Sequence, residues 1–347
     1  MAVAKDYWGF FAGEAKRGHS PLYERLALGM REAPELQALA ARAKKGQPHA
    51  NILFGAVHYL LLGGREHKLA EHYPSVRPNA RPDGDVFPLF KEFCGAFERD
   101  LLPLIETRVT NTNEVARSST LYPAFDFIAR ENGEALHLIE IGPSAGFNLN
   151  WDRYRYSFLR DRNAVIERGP RDSKLHLSPQ LRGDSVPPLA EQFPLVANRI
   201  GLELNPVDLS KAEDRLWLKA LTWPEHTARF IRLDGAIAEA QAYPQRIWPG
   251  NALELLPVAI ARELPPTGAA VVYHSHVTYQ FSEAMRAQLN ETLTTLARKR
   301  PIYRVSVEWD GEGNYPVNIG LYDGAGEPTK RTIAFTDPHG AWLDWRG

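Results

Sequence analysis

The sequence predicts an α/β protein in which a helical region precedes an open, doubly wound sheet. From Leu136 onward, short apolar runs alternate with helical stretches, a pattern typical of parallel strands joined by helical crossovers. The final two runs, at residues 317–321 and 332–335, are joined by a turn at 322–326 that leaves no room for a helix. They predict an antiparallel terminal hairpin at the edge of a mostly parallel sheet.

Helical periodicity dominates the first 130 residues. In 87–105, for example, phenylalanine and leucine recur at separations of three and four residues. We assign residues 1–130 to a helical N-terminal domain or cap. Residues 131–347 form the sheet domain, with an insertion at about 157–195. The prolines of 170–194 indicate that this segment is irregular.

Strands and helices of the sheet domain alternate in order. Strands are predicted at 136–141, 197–203, 246–248, 269–276 and 302–309, ahead of the terminal hairpin. Helices are predicted at 211–223, 227–242, 253–263 and 282–298. Open α/β sheets bind their ligands at the carboxyl ends of the strands. Residues at these strand ends are therefore the candidates for a site.

Charge balance and cysteine count restrict the partners. The 347 residues carry 41 Lys plus Arg against 42 Asp plus Glu, a formal net charge of -1, so bulk electrostatics do not hold nucleic acid or anionic lipid. Cys94 is the single cysteine, which excludes an internal disulfide and a multi-cysteine metal site. The sequence has neither a signal-peptide pattern nor an apolar run of membrane-spanning length. We expect a cytoplasmic protein with a small-molecule substrate and no membrane or nucleic-acid partner, and nothing indicates an oligomeric state.

The most informative motif, LHLIEIGPSAG, occupies residues 136–146. An apolar strand that carries Glu140 leads into a turn between Gly142 and Gly146, and glycine lets a backbone approach a ligand closely. The spacing departs from the Gly-x-Gly-x-x-Gly pattern of dinucleotide enzymes. It resembles instead the first motif of class I S-adenosylmethionine-dependent methyltransferases. A purely structural strand, turn and helix is the alternative interpretation.

This resemblance implies a Rossmann-like fold of methyltransferase type, with S-adenosylmethionine as cofactor. Glu203 ends the second strand, where such enzymes need an acid for the two ribose hydroxyls, and Asn251 replaces the usual Asp that reaches the adenine amine. A solvated strand end and a helix N-cap are the structural alternatives. Glu167 becomes the ribose ligand if residues 164–167 form the second strand instead. The expected cofactor-binding residues are Glu140, Gly142, Ser144, Ala145, Gly146, Asn148, Glu203, Asn251, Ala252 and Arg117.

The whole chain also resembles domain-of-unknown-function family 2332, a family of uncharacterised bacterial proteins. The strings that carry this resemblance lie at 47–64, 112–117, 142–156, 201–208, 217–232, 274–275 and 337–340. The family's activity is unassigned, so this resemblance supports the architecture more than a reaction.

Residues after the fourth parallel strand read HSHVTY. In the methyltransferases that the chain resembles, this loop faces the transferable methyl group. We therefore predict His274 as the base that takes a proton from the acceptor, with Ser275 or Tyr279 orienting the acceptor. Strand alternation places His274 and His276 on one face, so a structural role, or a metal site with His339 or Asp337 as a further ligand, is also open.

Arg117 ends the polar string NTNEVAR, and two interpretations of this string are open. Asn111 with Glu114 forms a capping box typical of a helix start. Alternatively, Arg117 pairs bidentately with a carboxylate, either that of the cofactor's methionine end or that of an acceptor.

Three functions fit these residues. The first is an S-adenosylmethionine-dependent methyltransferase acting on an unidentified small-molecule acceptor. The second is a non-catalytic ligand-binding or sensor protein on the same scaffold, favoured by Pro143 and by Asn251 in place of Asp. The third is a metal-dependent hydrolase that uses His274, His276 and His339.

Overall fold

The computed structural model describes residues 6–81, 84–111, 113–265 and 267–347. It divides into two compact units, the first from 1–112 and 208–233, and the second from 113–207 and 234–347. Thr112, in the string NTNEVAR, lies outside the described residues.

Along the described chain, seven α-helices precede the first strand, and α-helices and strands alternate between residues 196 and 307, as the α/β prediction requires for the parallel part of the sheet. The α-helices are α1 (Tyr7–Arg17), α2 (Pro21–Met30), α3 (Pro34–Ala40), α4 (His49–Leu62), α5 (Phe87–Ala96), α6 (Glu98–Thr107), α7 (Ser118–Asn132), α8 (Ala212–Ala220), α9 (Thr227–Ala242), α10 (Ala252–Glu263) and α11 (Glu283–Ala297). The strands are β1 (Leu136–Ile141), β2 (Arg155–Arg160), β3 (Asn163–Arg168), β4 (His176–Leu177), β5 (Gln180–Arg182), β6 (Val196–Glu203), β7 (Ile247–Pro249), β8 (Ala269–Ser275), β9 (Ile302–Val307), β10 (Tyr315–Tyr322), β11 (Thr329–Thr336) and β12 (Trp342–Trp345). Shorter 3-10 helices lie at Lys68–His72, Val115–Arg117, Phe147–Arg153 and Thr278–Gln280. The predicted domain boundary at residue 130 falls inside α7.

Helix α4 is the centre of the first unit because its side chains are apolar on nearly every side. Phe54 is fully buried, and its ring centroid lies 5.0 Å from that of Tyr23, 5.7 Å from that of Phe11 and 5.5 Å from that of Phe90. These rings come from α2, α1 and α5, so α4 joins three helices into one core. Among the described helices, none combines the length and the apolar character that a bilayer crossing requires.

His58 is the polar exception on α4. Its side chain is fully buried, with Nδ1 3.0 Å from the Ala220 carbonyl oxygen and Nε2 2.7 Å from Ser75 Oγ. Both ring nitrogens therefore have partners inside the first unit. Burial lowers the pKa of His58 from 6.5 to about 4, so the imidazole is neutral at pH 7.

One sheet organises the second unit, with strand order β3-β2-β5-β12-β11-β10-β9-β8-β1-β6-β7, and β4 pairs with β2. Strands β7, β6, β1, β8 and β9 are parallel, which confirms the mostly parallel central sheet. The chain passes from β1 to β6 on one side and later reaches β8 on the other. Such a reversal of strand order opens a crevice at the carboxyl ends of the strands.

The terminal hairpin forms but does not lie at the sheet edge. Strands β10 and β11 are antiparallel as predicted. However, β10 also pairs with β9, β11 pairs with β12, and β12 pairs with β5. The edge prediction was wrong because the strands of the insertion continue the sheet beyond the hairpin.

Residues 157–195 complete β2 and supply β3, β4 and β5. The segment 170–194, which was predicted to be irregular, holds only the short strands β4 and β5. Asp161 and Arg162 both adopt left-handed backbone angles, with φ of 49° and 67°, and so form a tight turn between β2 and β3. The sequences Asn-Gly and Asp-Gly are typical of such turns. Asp161-Arg162 is neither, so the turn could not be predicted from the sequence.

We expect the first unit to lose stability in acid because of His58. The unfolded imidazole binds a proton near pH 6.5, whereas the folded one binds it only near pH 4. The free energy of unfolding should therefore fall as the pH drops from 6.5 to 4, by about 3 kcal/mol in total. Urea unfolding of the wild type, His58→Gln and His19→Gln across this range tests the prediction, since His19 is exposed. Equal pH slopes in all three proteins would contradict it.

Candidate functional site

The predicted site residues Glu140, Glu203 and Ser275 meet at one edge of the sheet. Each lies at or next to the carboxyl end of its strand, and β1 pairs in parallel with both β6 and β8. Their positions follow from the strand register alone, because parallel neighbours end at the same edge.

Gly142 and Gly146 have left-handed φ angles of 70° and 77°. A Cβ atom at Gly142 would come within 2.7 Å of Val277 Cγ2, and one at Gly146 within 3.1 Å of Ile247 Cδ1. The protein's own packing and backbone angles therefore already require both glycines. Close approach of a ligand is not needed to explain them.

Three backbone amides at the glycine turn bond to groups of the protein. Ser144 N donates to Glu203 Oε2 at 2.7 Å, Gly146 N to the Pro143 carbonyl at 2.8 Å, and Phe147 N to Asn113 Oδ1 at 3.1 Å. The segment after the turn, which includes Asn148, is a 3-10 helix rather than a full α-helix. An anionic ligand that uses these three amides would have to displace the protein's own acceptors.

Glu203 is 7% exposed, and each of its carboxylate oxygens accepts a backbone N–H group. Oε2 accepts from Ser144 N, and Oε1 accepts from Asn205 N at 2.9 Å. A carboxylate offers about four acceptor positions, so these two bonds leave others unused. Glu167, the alternative ribose ligand, lies on the outermost strand β3, where Arg155 and Ser157 donate to it.

Asn251 takes the helix-capping role that was the structural alternative. Its Oδ1 accepts from Leu253 N at 3.0 Å, and its Nδ2 donates to Glu254 Oε1 at 2.9 Å. Ala252 is the first residue of α10. Glu254 N and Leu255 N donate to the Asn251 carbonyl oxygen, so the Ala252 amide is the first-turn donor of α10 that these bonds to Asn251 leave over.

Glu140 is a buried carboxyl beneath the turn. Tyr273 Oη donates to Glu140 Oε2 at 3.0 Å, and the Asn148 side chain also bonds to Glu140. Ser118 Oγ donates to Asn148 Oδ1 at 2.8 Å, which leaves the Asn148 amide N–H for Glu140. Burial raises the pKa of Glu140 from 4.5 to about 8 against these hydrogen bonds. Glu140 is therefore mainly protonated at pH 7.

His274 is fully buried, and both of its ring nitrogens are engaged. Nδ1 lies 2.6 Å from Glu308 Oε1, and Arg304 Nε donates to Nε2 at 3.0 Å. Glu308 also accepts from Val277 N at 2.9 Å. The pair therefore fixes the loop after β8. The assignment of His274 as base stays a prediction, but these bonds leave no ring nitrogen for an acceptor.

His276 lies just beyond β8, so strand alternation does not extend to it. Its φ of 57° is left-handed, and its ring stacks on that of Tyr315 with centroids 5.0 Å apart. Burial, more than the Arg117 charge beside it, lowers the pKa of His276 to about 3. Among the described residues, His276 Nε2 and Ser275 Oγ are buried without a hydrogen-bond partner.

Arg117 reaches the same edge from the 3-10 helix Val115–Arg117. Its Nε donates to the Pro338 carbonyl at 2.9 Å, and its charge acts on Glu140, His276 and Tyr315. Glu114 itself caps this helix through Ala116 N, which replaces the predicted capping box that began at Asn111. Tyr279, predicted to orient an acceptor, is 53% exposed.

The described ranges contain no group of three or more His, Cys, Asp or Glu side chains placed to hold a metal ion. His339 Nδ1 lies 4.0 Å from Glu114 Oε2, while His274 is engaged by Glu308 and Arg304. The arrangement therefore gives the metal interpretation no support.

Two residues of the edge were not predicted from the sequence: Glu308 and Tyr315. Glu308 had a readable signal, because it lies near the carboxyl end of a predicted strand, as Glu203 does. Tyr315 had none, since its position depends on tertiary packing. Asn113 belongs to the polar string NTNEVAR, but its bond to Phe147 N was not predicted.

We expect Glu140 to impose a pH-dependent cost on folding. Its pKa is about 8 when folded and near 4.5 when unfolded, so stability should fall as the pH rises from 4.5 to 8, by about 1.4 kcal/mol per pH unit between these values. Glu140→Gln removes the titrating group, and Glu167→Gln is the exposed control. Denaturant unfolding at pH 5, 6.5 and 8 should give a flatter pH dependence for Glu140→Gln alone. An unchanged slope in that variant would refute the prediction.

Comparison with known proteins gives one match. The model of the family described as "Uncharacterized protein conserved in bacteria (DUF2332)" matches residues 6–345. No curated protein and no solved structure matches the chain. Since the family model spans almost the whole sequence, the chain belongs to the DUF2332 family of uncharacterised bacterial proteins.

Proposed function

We propose that the second unit is a Rossmann-like domain of methyltransferase type, which binds S-adenosylmethionine and methylates an unidentified small molecule. Glu203 carries this proposal: it is an acid at the end of the strand beside β1, bonded to the glycine turn and with acceptor positions unused. Parallel order across β7, β6, β1, β8 and β9, with a reversal at β1, supports a crevice at the same edge.

The residues fit the cofactor unevenly. The unused acceptor positions of Glu203 suit two ribose hydroxyls, and the first turn of α10, at Asn251 and Ala252, suits an adenine edge. The glycine turn does not suit the methionine carboxylate, because Ser144, Gly146 and Phe147 already donate within the protein. We therefore assign that carboxylate to Arg117, whose guanidinium has five donors.

When bound, S-adenosylmethionine supplies an electrophilic methyl group. The chain's own contribution is then to orient the acceptor and exclude water, which accounts for most of the rate in such displacements. Ser275 and His276 suit this role better than His274, because their polar atoms are unpartnered at the edge. His276 is a weak base, so it positions an acceptor through hydrogen bonding.

A non-catalytic ligand-binding protein is the second candidate function. The internally bonded glycine turn favours it, as does the engagement of both His274 nitrogens. The two candidates share a binding site and differ only in turnover.

Calorimetry with S-adenosylhomocysteine tests the binding site. We expect a dissociation constant in the micromolar range for the full chain. Glu203→Gln should weaken the binding of S-adenosylhomocysteine about tenfold or more, because hydrogen bonds to a charged acceptor are lost. Glu167→Gln is the matched control and should bind as the wild type does. Absence of binding by folded wild-type protein, or equal binding by Glu203→Gln, would overturn the proposal.

Incubation with methyl-labelled cofactor and a cell extract separates the two candidates. Transfer of label to a product that Glu203→Gln fails to form establishes turnover. Binding of S-adenosylhomocysteine without transfer to any product favours the ligand-binding protein.

A further inference from the structure

We propose that the ends of β8 and β9 form a subsite for a planar aromatic ring that carries a hydroxyl group. The proposal rests on two buried polar atoms that have no hydrogen-bond partner and on exposed aromatic side chains at the same strand ends. As a ring-binding site it is independent of the cofactor. The identification of this ring as the methyl acceptor rests on the proposed function.

The polar floor consists of two consecutive residues. Ser275 is 8% exposed, and its Oγ has no hydrogen-bond partner in the described chain, as is also true of buried His276 Nε2. A buried polar atom without a partner costs its full desolvation. A ligand that can both donate and accept would remove that cost at both atoms.

The backbone supports the same conclusion. His276 holds a φ of 57°, a left-handed conformation that non-glycine residues adopt at a cost. The turn carries its ring onto Tyr315, at an interplanar angle of 25°. His276 N donates to the Val307 carbonyl at 3.0 Å, which ties the end of β8 to that of β9.

Aromatic surface at this edge is left open to solvent. Trp309, two residues after β9, is 54% exposed, and Tyr279, four residues after β8, is 53% exposed. Tyr279 N donates to Glu308 Oε2 at 3.4 Å, so the two strand ends are joined here as well. Large exposed rings at the carboxyl edge of a sheet suit stacking with a planar ligand.

The charged groups that face His276 favour a neutral ligand. Arg117, Glu308 and His339 act on it, but Glu308 is bonded to His274 and to loop amides. Around Tyr315, Asp337 accepts from Ala341 N, and Asp310 accepts from Glu312 N and Asn314 N. The floor itself is an uncharged hydroxyl and a neutral imidazole. A hydroxyl on the ring matches both groups.

Ligand-observed NMR with 2-naphthol, 2-methoxynaphthalene and cyclohexanol tests the subsite on the full chain. We expect 2-naphthol to bind, its methyl ether to bind about tenfold more weakly because it cannot donate, and cyclohexanol not to bind. Trp309→Ala and Ser275→Ala should each weaken the binding of 2-naphthol at least threefold. Phe10→Ala removes a 57% exposed ring from the first unit and should change nothing.

S-adenosylhomocysteine calorimetry on Trp309→Ala keeps the two proposals apart. We expect wild-type affinity there, because Trp309 follows β9 while Glu203 ends β6. Failure of 2-naphthol to bind a protein that binds S-adenosylhomocysteine overturns the subsite and leaves the proposed function standing. Equal binding of 2-naphthol and its ether, or no effect of either site variant with circular dichroism unchanged, also overturns it. If the protein binds 2-naphthol but does not bind S-adenosylhomocysteine, the ring site is upheld and its role as an acceptor site is overturned.

Discussion

The bond from Ser144 N to Glu203 is the contact on which the edge of the sheet depends. It joins the turn after β1 to the end of β6, so one carboxylate fixes two neighbouring strand ends. It also consumes a turn amide that an anionic ligand would otherwise use. The same interaction therefore positions the acid expected to meet a ribose and closes the turn to a second negative group.

Glu308 connects the ends of the next two strands of the sheet, β8 and β9, as Glu203 connects those of β1 and β6. It accepts from the loop after β8 and binds His274, so the ends of β8 and β9 are held as firmly as those of β1 and β6. Because Glu308 is occupied in holding this loop, the side chains available to a ligand are those beside it. At this edge the neighbours are Ser275 and His276, whose polar atoms have no partner in the described chain. Rigid support beside unsatisfied groups is the usual form of a preorganised binding site.

Periodicity was enough to predict the parallel core, because each strand of that core is a continuous apolar run followed by a helix. It failed at β2 and β3, where arginines begin and end the first strand, Glu167 and Arg168 end the second, and the turn carries no glycine. Strand ends predicted Glu140 and Glu203 correctly as neighbours, since register alone decides their place. The helix-capping role of Asn251 was one of the two interpretations of the sequence. The double engagement of His274 could not be predicted, because its partners Arg304 and Glu308 come from β9 and the residue after it.

The position of β3 has a consequence for solubility. As the outermost strand it exposes unpaired backbone groups, which would template association with another chain. Glu167 and Arg168 on its length, and the left-handed turn that precedes it, make that edge charged and twisted. At the opposite edge, β7 is only three residues long and ends in Pro249, which lacks an N–H to offer. A sheet this wide thus resists amyloid-like growth at both margins.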